Sequence, residues 1–183
     1  MPRLEGRALG GGNLNEAAVD SDSNLAVRAV IELDFEHVSE HERQAYVATS
    51  TFSATAAQEI ISLQNTSSTL NLHVERIVIS TSASGIFTTF RITSATAAGG
   101  TAVTPVNLFL GSANAAAAAA FGNADVTGGL SGDTVDAQDV GTEAPYTREY
   151  NGALILPQNE AIAITAATNG IIFVSIYFFF EEF

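Results

Sequence analysis

The chain has no cysteine, no tryptophan and no lysine among its 183 residues. Without cysteine there is no disulfide framework, no thiolate metal site and no thiol nucleophile, and the redox state of the compartment leaves no mark. Cationic side chains are scarce: seven arginines face twenty Asp and Glu, for a formal net charge of −13. Binding along a phosphate backbone works through cationic surface that releases counterions, so this balance argues against nucleic acid as a partner. It equally disfavours anionic lipid headgroups. Long apolar runs are missing too. The longest, 170–180, is about half of what a bilayer span requires. Residues 1–12 hold Arg3 and Arg7 but no apolar stretch of the kind a secretory signal needs. Acidic excess without lysine fits a protein kept soluble where high salt screens charge.

What is present is strand chemistry. Val, Ile, Thr, Phe and Tyr recur throughout, and a chain of this length buries one core without staples. Residues 1–24, rich in Gly, Asn, Ser and Asp around Gly10-Gly11-Gly12, read as an extended arm that crosses onto a neighbouring subunit; the folded domain is expected over 25–183. Leu25, Val27, Ala29, Ile31, Leu33 and Phe35 alternate with polar residues as a half-buried strand does. Further strands are expected near Tyr46–Phe52 and Glu59–Leu63. In Leu70–Ser80 the apolar phase slips between Val74 and Ile77, which predicts a β-bulge at Glu75-Arg76. Ile86–Thr93 follows after a connection, Thr81–Gly85, of hairpin length. Thr101–Leu110 reads as one strand with Pro105 at an edge or bulge.

Ala115–Ala120 with Phe121-Gly122 predicts a single short helix near 113–121, N-capped by Ser112 or Asn114. Asn123–Glu143 is expected to be a protruding acidic loop. Three strands close the chain, about Tyr150–Leu156, Glu160–Ala166 and Gly170–Phe180. Asn169-Gly170 between the last two is a hairpin signal. The final strand is apolar on both faces, so it is central in its sheet or covered by a partner. Eight or nine strands with almost no helix specify an all-β sandwich or barrel.

Candidate chemistry is thin. His37-Val38-Ser39-Glu40-His41 matches the H-x-x-E-H of inverzincin peptidases, in which two His four apart share a metal on a helix face. Here the pattern follows a strand ending at Asp34-Phe35 and its flanks have no helical period, so it reads as a solvated connection. His73, beside Asn71 and Glu75, is expected at the surface and not as a third ligand. Gly128–Asp136 approaches the calcium nonapeptide G-G-x-G-x-D-x-U-x once, with Ser131 in the fourth position, and does not recur. Asp125, Asp133, Asp136 and Asp139 have oxygen ligands but no EF-hand spacing. Asn65-Thr66-Ser67 is a formal glycosylation triplet. Tyr46, Tyr146 and Tyr150 without a tryptophan make a poor sugar platform. No catalytic, cofactor-binding or metal-binding residue is assigned, no cofactor is implied, and no enzymatic activity is expected.

The Gly-rich arm and the twin-faced last strand, with Tyr150-Asn151-Gly152-Ala153-Leu154-Ile155-Leu156-Pro157, Ala161–Ile164 and Ile171–Phe180 before Glu181-Glu182, resemble a viral jelly-roll subunit. With its acidic, lysine-free composition, the chain resembles the smaller major capsid protein of membrane-containing icosahedral haloarchaeal viruses. The likeness covers about 25–183. It implies a single jelly roll in the virion shell, partnered by copies of itself and by a second, larger capsid protein, above an internal viral membrane. Two other readings stand beside it: a head-decoration, turret or tail-fibre protein of a tailed halophilic virus, and a carbohydrate-binding β-sandwich module.

Overall fold

The computed structural model describes residues 18–19, 25–26, 43–54, 58–92, 100–124, 132–142 and 144–182, in two compact units, 1–32 and 33–183. In the first, β1 (Ala18–Val19) pairs antiparallel with β2 (Leu25–Ala26). The rest of the expected arm 1–24 and of the expected strand 25–35 lies outside the described residues.

The second unit contains β3 (Ala45–Ala54), β4 (Gln58–Asn65), β5 (Leu70–Thr81), β6 (Gly85–Arg91), β7 (Thr101–Val103), β8 (Val106–Asn107), β9 (Ala118–Ala124), β10 (Thr134–Val140), β11 (Tyr146–Leu156), β12 (Ala161–Ala167) and β13 (Gly170–Glu182). Two antiparallel sheets, ordered β11-β5-β13-β3-β8 and β10-β6-β12-β4-β9-β7, pack as a sandwich. Period-two patterning explains the packing. Leu72, Val74, Ile77 and Ile79 of β5 and Ile172, Val174, Ile176 and Phe178 of β13 face Ile61, Leu63, Ile162 and Ile164 of the second sheet. Tyr46 stacks on Phe178 with centroids 5.6 Å apart, and Phe180 meets Phe178 edge-on at 5.9 Å.

The bulge in β5 falls where the phase slip puts it. Tyr177 pairs with Arg76 and Phe178 with Val74, so the ladder register steps past Glu75. The slip keeps the even residues before it and the odd residues after it on the core face. The last strand is central, between β3 and β5.

Several expectations are corrected. No helix forms near 113–121. Ala118–Ala124 is a strand between β4 and β7. Isolated alanines favour helix, but a run this short lacks the length to sustain one, and ladder pairing on two sides wins. Thr81–Gly85 and Asn169-Gly170 are not hairpins, because each joins strands of different sheets. At 169–170 only Gly170 has a positive φ, 150°, whereas a type I′ turn needs both residues left-handed. The other Asn-Gly does have that backbone: Asn151 at 51° and Gly152 at 73°. It sits within β11, where pairing jumps from Glu149↔Arg76 to Leu154↔Val74. The two sheet-crossing links run together. Ser82 N–H donates to the Ile171 carbonyl at 2.9 Å, Ile171 N–H to Ser82 Oγ at 2.8 Å, and Thr168 Oγ1 to the Ser84 carbonyl at 2.9 Å.

Thr101–Leu110 is split at Thr104-Pro105 into β7 and β8, which lie on the edges of different sheets, where proline is tolerated. The acidic stretch 123–143 contains edge strand β10. Charged residues hide an edge from period-two reading, and they also discourage unwanted pairing there. Among the described residues the sandwich holds eleven strands, where eight or nine were expected.

Candidate functional site

His37, Glu40, His41 and Asp125 lie outside the described residues. Among the described residues, no three His, Asp or Glu side chains are grouped to hold a metal ion. Asp136 of β10 sits 3.4 Å from Arg148; Asp139 lies on the same strand and Asp133 just before it. His73 is half-buried, its side chain 13 % exposed, more sheltered than an open surface position. Its ring stacks on Phe179 at 5.0 Å, Nδ1 lies 3.0 Å from the Gly152 carbonyl, and Nε2 lies 3.5 Å from Glu181. The local reason is the β11 bulge. Gly152 turns its backbone onto the Phe179 ring, where any Cβ would crowd the ring carbons at 3.1 Å.

Asn65 of the glycosylation triplet is fully buried. Its Nδ2 donates to the Leu70 and Leu156 carbonyls, both at 2.8 Å, and its Oδ1 accepts from Ser67 N–H at 2.8 Å. It therefore ties the end of β4 to the ends of β5 and β11, and no glycan can be attached to it in the folded chain. The three tyrosines do not converge. Tyr46 is buried in β3, while Tyr146 and Tyr150 are half-buried in β11, at the far edge of the same sheet. Burial pushes all three phenols above their ordinary pKa. Glu59 of β4 is 5 % exposed, and burial raises its carboxyl, with a smaller opposing effect from Ser62.

The features that stand out are surfaces. Residues 92–124 carry no charged side chain in a chain of net charge −13. Within that tract, β8 leads into a corner at 108–111 that presents Phe109 and Leu110, the latter 83 % exposed, next to exposed Val106. The corner is braced. Asn107 Oδ1 accepts from Phe109 N–H at 2.9 Å, and its Nδ2 donates to the Arg43 carbonyl at 2.8 Å. Ser112 N–H closes the turn on the Phe109 carbonyl at 2.9 Å. The Arg43 guanidinium covers the Phe109 ring at 4.5 Å.

At the other edge the sheets part between β10 and β11. Val135, Leu154, Ile155, Pro157 and Ile162 line a slot of about 360 Å³. Arg91 and Glu160 close its rim with a bidentate pair, at 2.7 and 2.8 Å. That pairing lowers the Glu160 carboxyl from its ordinary value, chiefly through the hydrogen bond from Arg91. Sequence reading missed both features. The uncharged tract was the available signal for the corner; the slot depends on which strands lie at the edges, which local sequence does not encode.

Comparisons with protein-family models, with curated proteins and with solved structures give no match.

Proposed function

We propose that the chain is a structural virion protein, a capsid subunit that builds an icosahedral shell through subunit contacts and carries out no catalysis. The observation that carries this reading is the strand order. Eight strands, β3–β6 and β10–β13, give β3-β13-β5-β11 in one sheet and β4-β12-β6-β10 in the other. Consecutive members change sheet at every step except from β6 to β10. That order supports a jelly roll, in which two Greek keys wrap eight strands into a sandwich, a fold used by viral capsids as well as by lectins and cupins. On this reading β7, β8 and β9 are an insertion that widens both sheets at one edge.

Among the uses of that fold, a shell is favoured over a sugar site because the tyrosines are buried or half-buried and do not share a platform. A shell held apart from the genome needs no basic surface, consistent with net charge −13. The implied partners are further copies of this chain and a second, larger capsid protein, near an internal viral membrane and without nucleic acid.

Copy number tests the proposal. Quantitative mass spectrometry of purified particles should find the chain as a continuous lattice component. Its removal with the shell left intact would overturn the capsid role in favour of a head-decoration, turret or fibre protein. Surface carboxylates repel at low ionic strength, so shells should dissociate on desalting. Particles that stay intact in dilute buffer would refute the high-salt setting.

A further inference from the structure

We propose that His73, Glu181 and Asn71 form a binding site for a divalent transition-metal ion, zinc by preference, on the outer face of the β11-β5-β13-β3-β8 sheet. The strand register brings the three together. Asn71 of β5 lies directly across from Glu181 of β13, and His73 directly across from Phe179. Leu72 and Phe180, between these pairs, belong to the core, so the three side chains share the opposite face.

The imidazole is set up as a ligand. The Gly152 carbonyl can only accept, so at 3.0 Å it fixes the hydrogen on Nδ1 and leaves the lone pair of the neutral ring on Nε2. A carbonyl or carboxylate on the far nitrogen is how metal-binding histidines are generally oriented. Stacking on Phe179 at 5.0 Å fixes the ring plane. Nε2 then faces Glu181 Oε2 at 3.5 Å, and both atoms are acceptors. A positive centre between them resolves the opposition. A shared proton would draw the atoms to about 2.7–2.9 Å. Two ligands of one tetrahedral zinc, each about 2.0–2.2 Å from the metal, stand about 3.4 Å apart. The gap in the structure fits the metal.

Asn71 supplies an independent observation. Its Oδ1 is buried and has no hydrogen-bond donor, a state that buried acceptors rarely keep and that a coordinated cation relieves. Arg43 and Arg76, the arginines close to this site in register, are drawn onto the rings of Phe109 and Tyr177, each at 4.5 Å. One imidazole nitrogen with two oxygens selects zinc-like ions over calcium and magnesium, which take six or more oxygens. Glu181 is 46 % exposed, so the ion enters from solvent and water completes its shell. Once bound, it clasps the last residues of β13 to the start of β5.

Zinc titration of the full chain by calorimetry tests the site, in high salt with excess Mg²⁺ to occupy unspecific carboxylates. Binding should saturate at one ion per chain, and zinc at about a hundredfold over Kd should raise the melting temperature by about 5–10 °C. Co²⁺ in its place should give the visible absorption of a tetrahedral ion. Glu181→Gln changes a part-exposed side chain and should keep the β-sheet circular dichroism while weakening zinc binding about tenfold or more; Asn71→Ala and His73→Ala should weaken it at least as much. Unchanged affinity in any of the three variants would place the ion elsewhere, His37 and His41 included, and overturn the assignment. So would a wild type that shows no saturable zinc binding. Neither result bears on the shell reading.

Discussion

Replacing Asn65 tests the strongest polar tie in the sandwich. The side chain is fully buried and makes three hydrogen bonds of 2.8 Å to backbone groups of three different segments. Alanine removes all three. Each bond contributes about 1 kcal/mol net, and stranding buried partners costs about 1–3 kcal/mol more, so Asn65→Ala should destabilise by about 4–6 kcal/mol. Domains are stable by about 5–15 kcal/mol, so the loss is a large fraction of the whole. With a urea m-value of about 2 kcal/mol/M, the midpoint should fall by about 2–3 M at unchanged slope.

Asn65→Asp separates polarity from geometry. The new carboxylate keeps the bond from Ser67 N–H but points its other oxygen at two carbonyls in a buried site, which raises its folded-state pKa. Below the unfolded carboxyl pKa of about 3.9 both states are protonated and the charge penalty is absent. As pH rises towards the raised folded value the penalty grows, and above it the penalty is fully present. Measured against wild type at each pH by circular dichroism, Asn65→Asp should therefore lose more stability at pH 7 than at pH 4. An Asn65→Ala midpoint within about 0.3 M of wild type, or an Asp variant insensitive to pH, would show that the tie is not structural.

Three further outcomes are expected. Glu59 is buried with a raised pKa, so its ionised form destabilises the fold above that pKa and not at acid pH; Glu59→Gln should raise the melting temperature at pH 7.5, with the gain vanishing towards pH 4. Phe178→Ala empties the centre of the Tyr46–Phe178–Phe180 cluster and should cost about 3–5 kcal/mol in chemical denaturation. A Cβ at Gly132 would fall on the Arg91 carbonyl oxygen, so Gly132→Ala must displace backbone beside the Arg91 N–H bond to the Asp133 carbonyl. Amide exchange at Arg91 should accelerate in that variant, and unchanged protection would refute the contact.

Local periodicity made most of the sandwich legible. β3, β4, β5, β6 and β11–β13 all begin and end within a few residues of their alternating runs, and the phase slip located the β5 bulge. Sheet membership was not legible. A strand–turn–strand sequence looks alike whether the chain folds back beside itself or crosses to the facing sheet, and the two arches at 81–85 and 167–170 are distinguished only by their bonds to each other. The alanine run failed for a related reason. Its intrinsic preference is weak, and β4 and β7 offer it two ladders that no local window contains. The partial shelter of His73 was not legible because the residue that covers it, Phe179, is more than a hundred positions away in the chain. The corner and the slot belong to the same class: one is a property of a long uncharged tract, the other of an edge defined by the whole topology.

The place of β13 between β3 and β5 has a consequence for how the molecule comes into being. It follows every other strand of both sheets in the chain, yet β3 and β5 have no ladder of their own to share without it. A chain emerging from the ribosome therefore cannot close the β11-β5-β13-β3-β8 sheet until this segment is out, and pairings so distant in sequence form slowly. Until then the apolar rows of β3 and β5 wait uncovered, a state prone to aggregation. Once β13 inserts, both neighbours are satisfied in one step. Translation that stops early leaves no closed sheet and no finished edge.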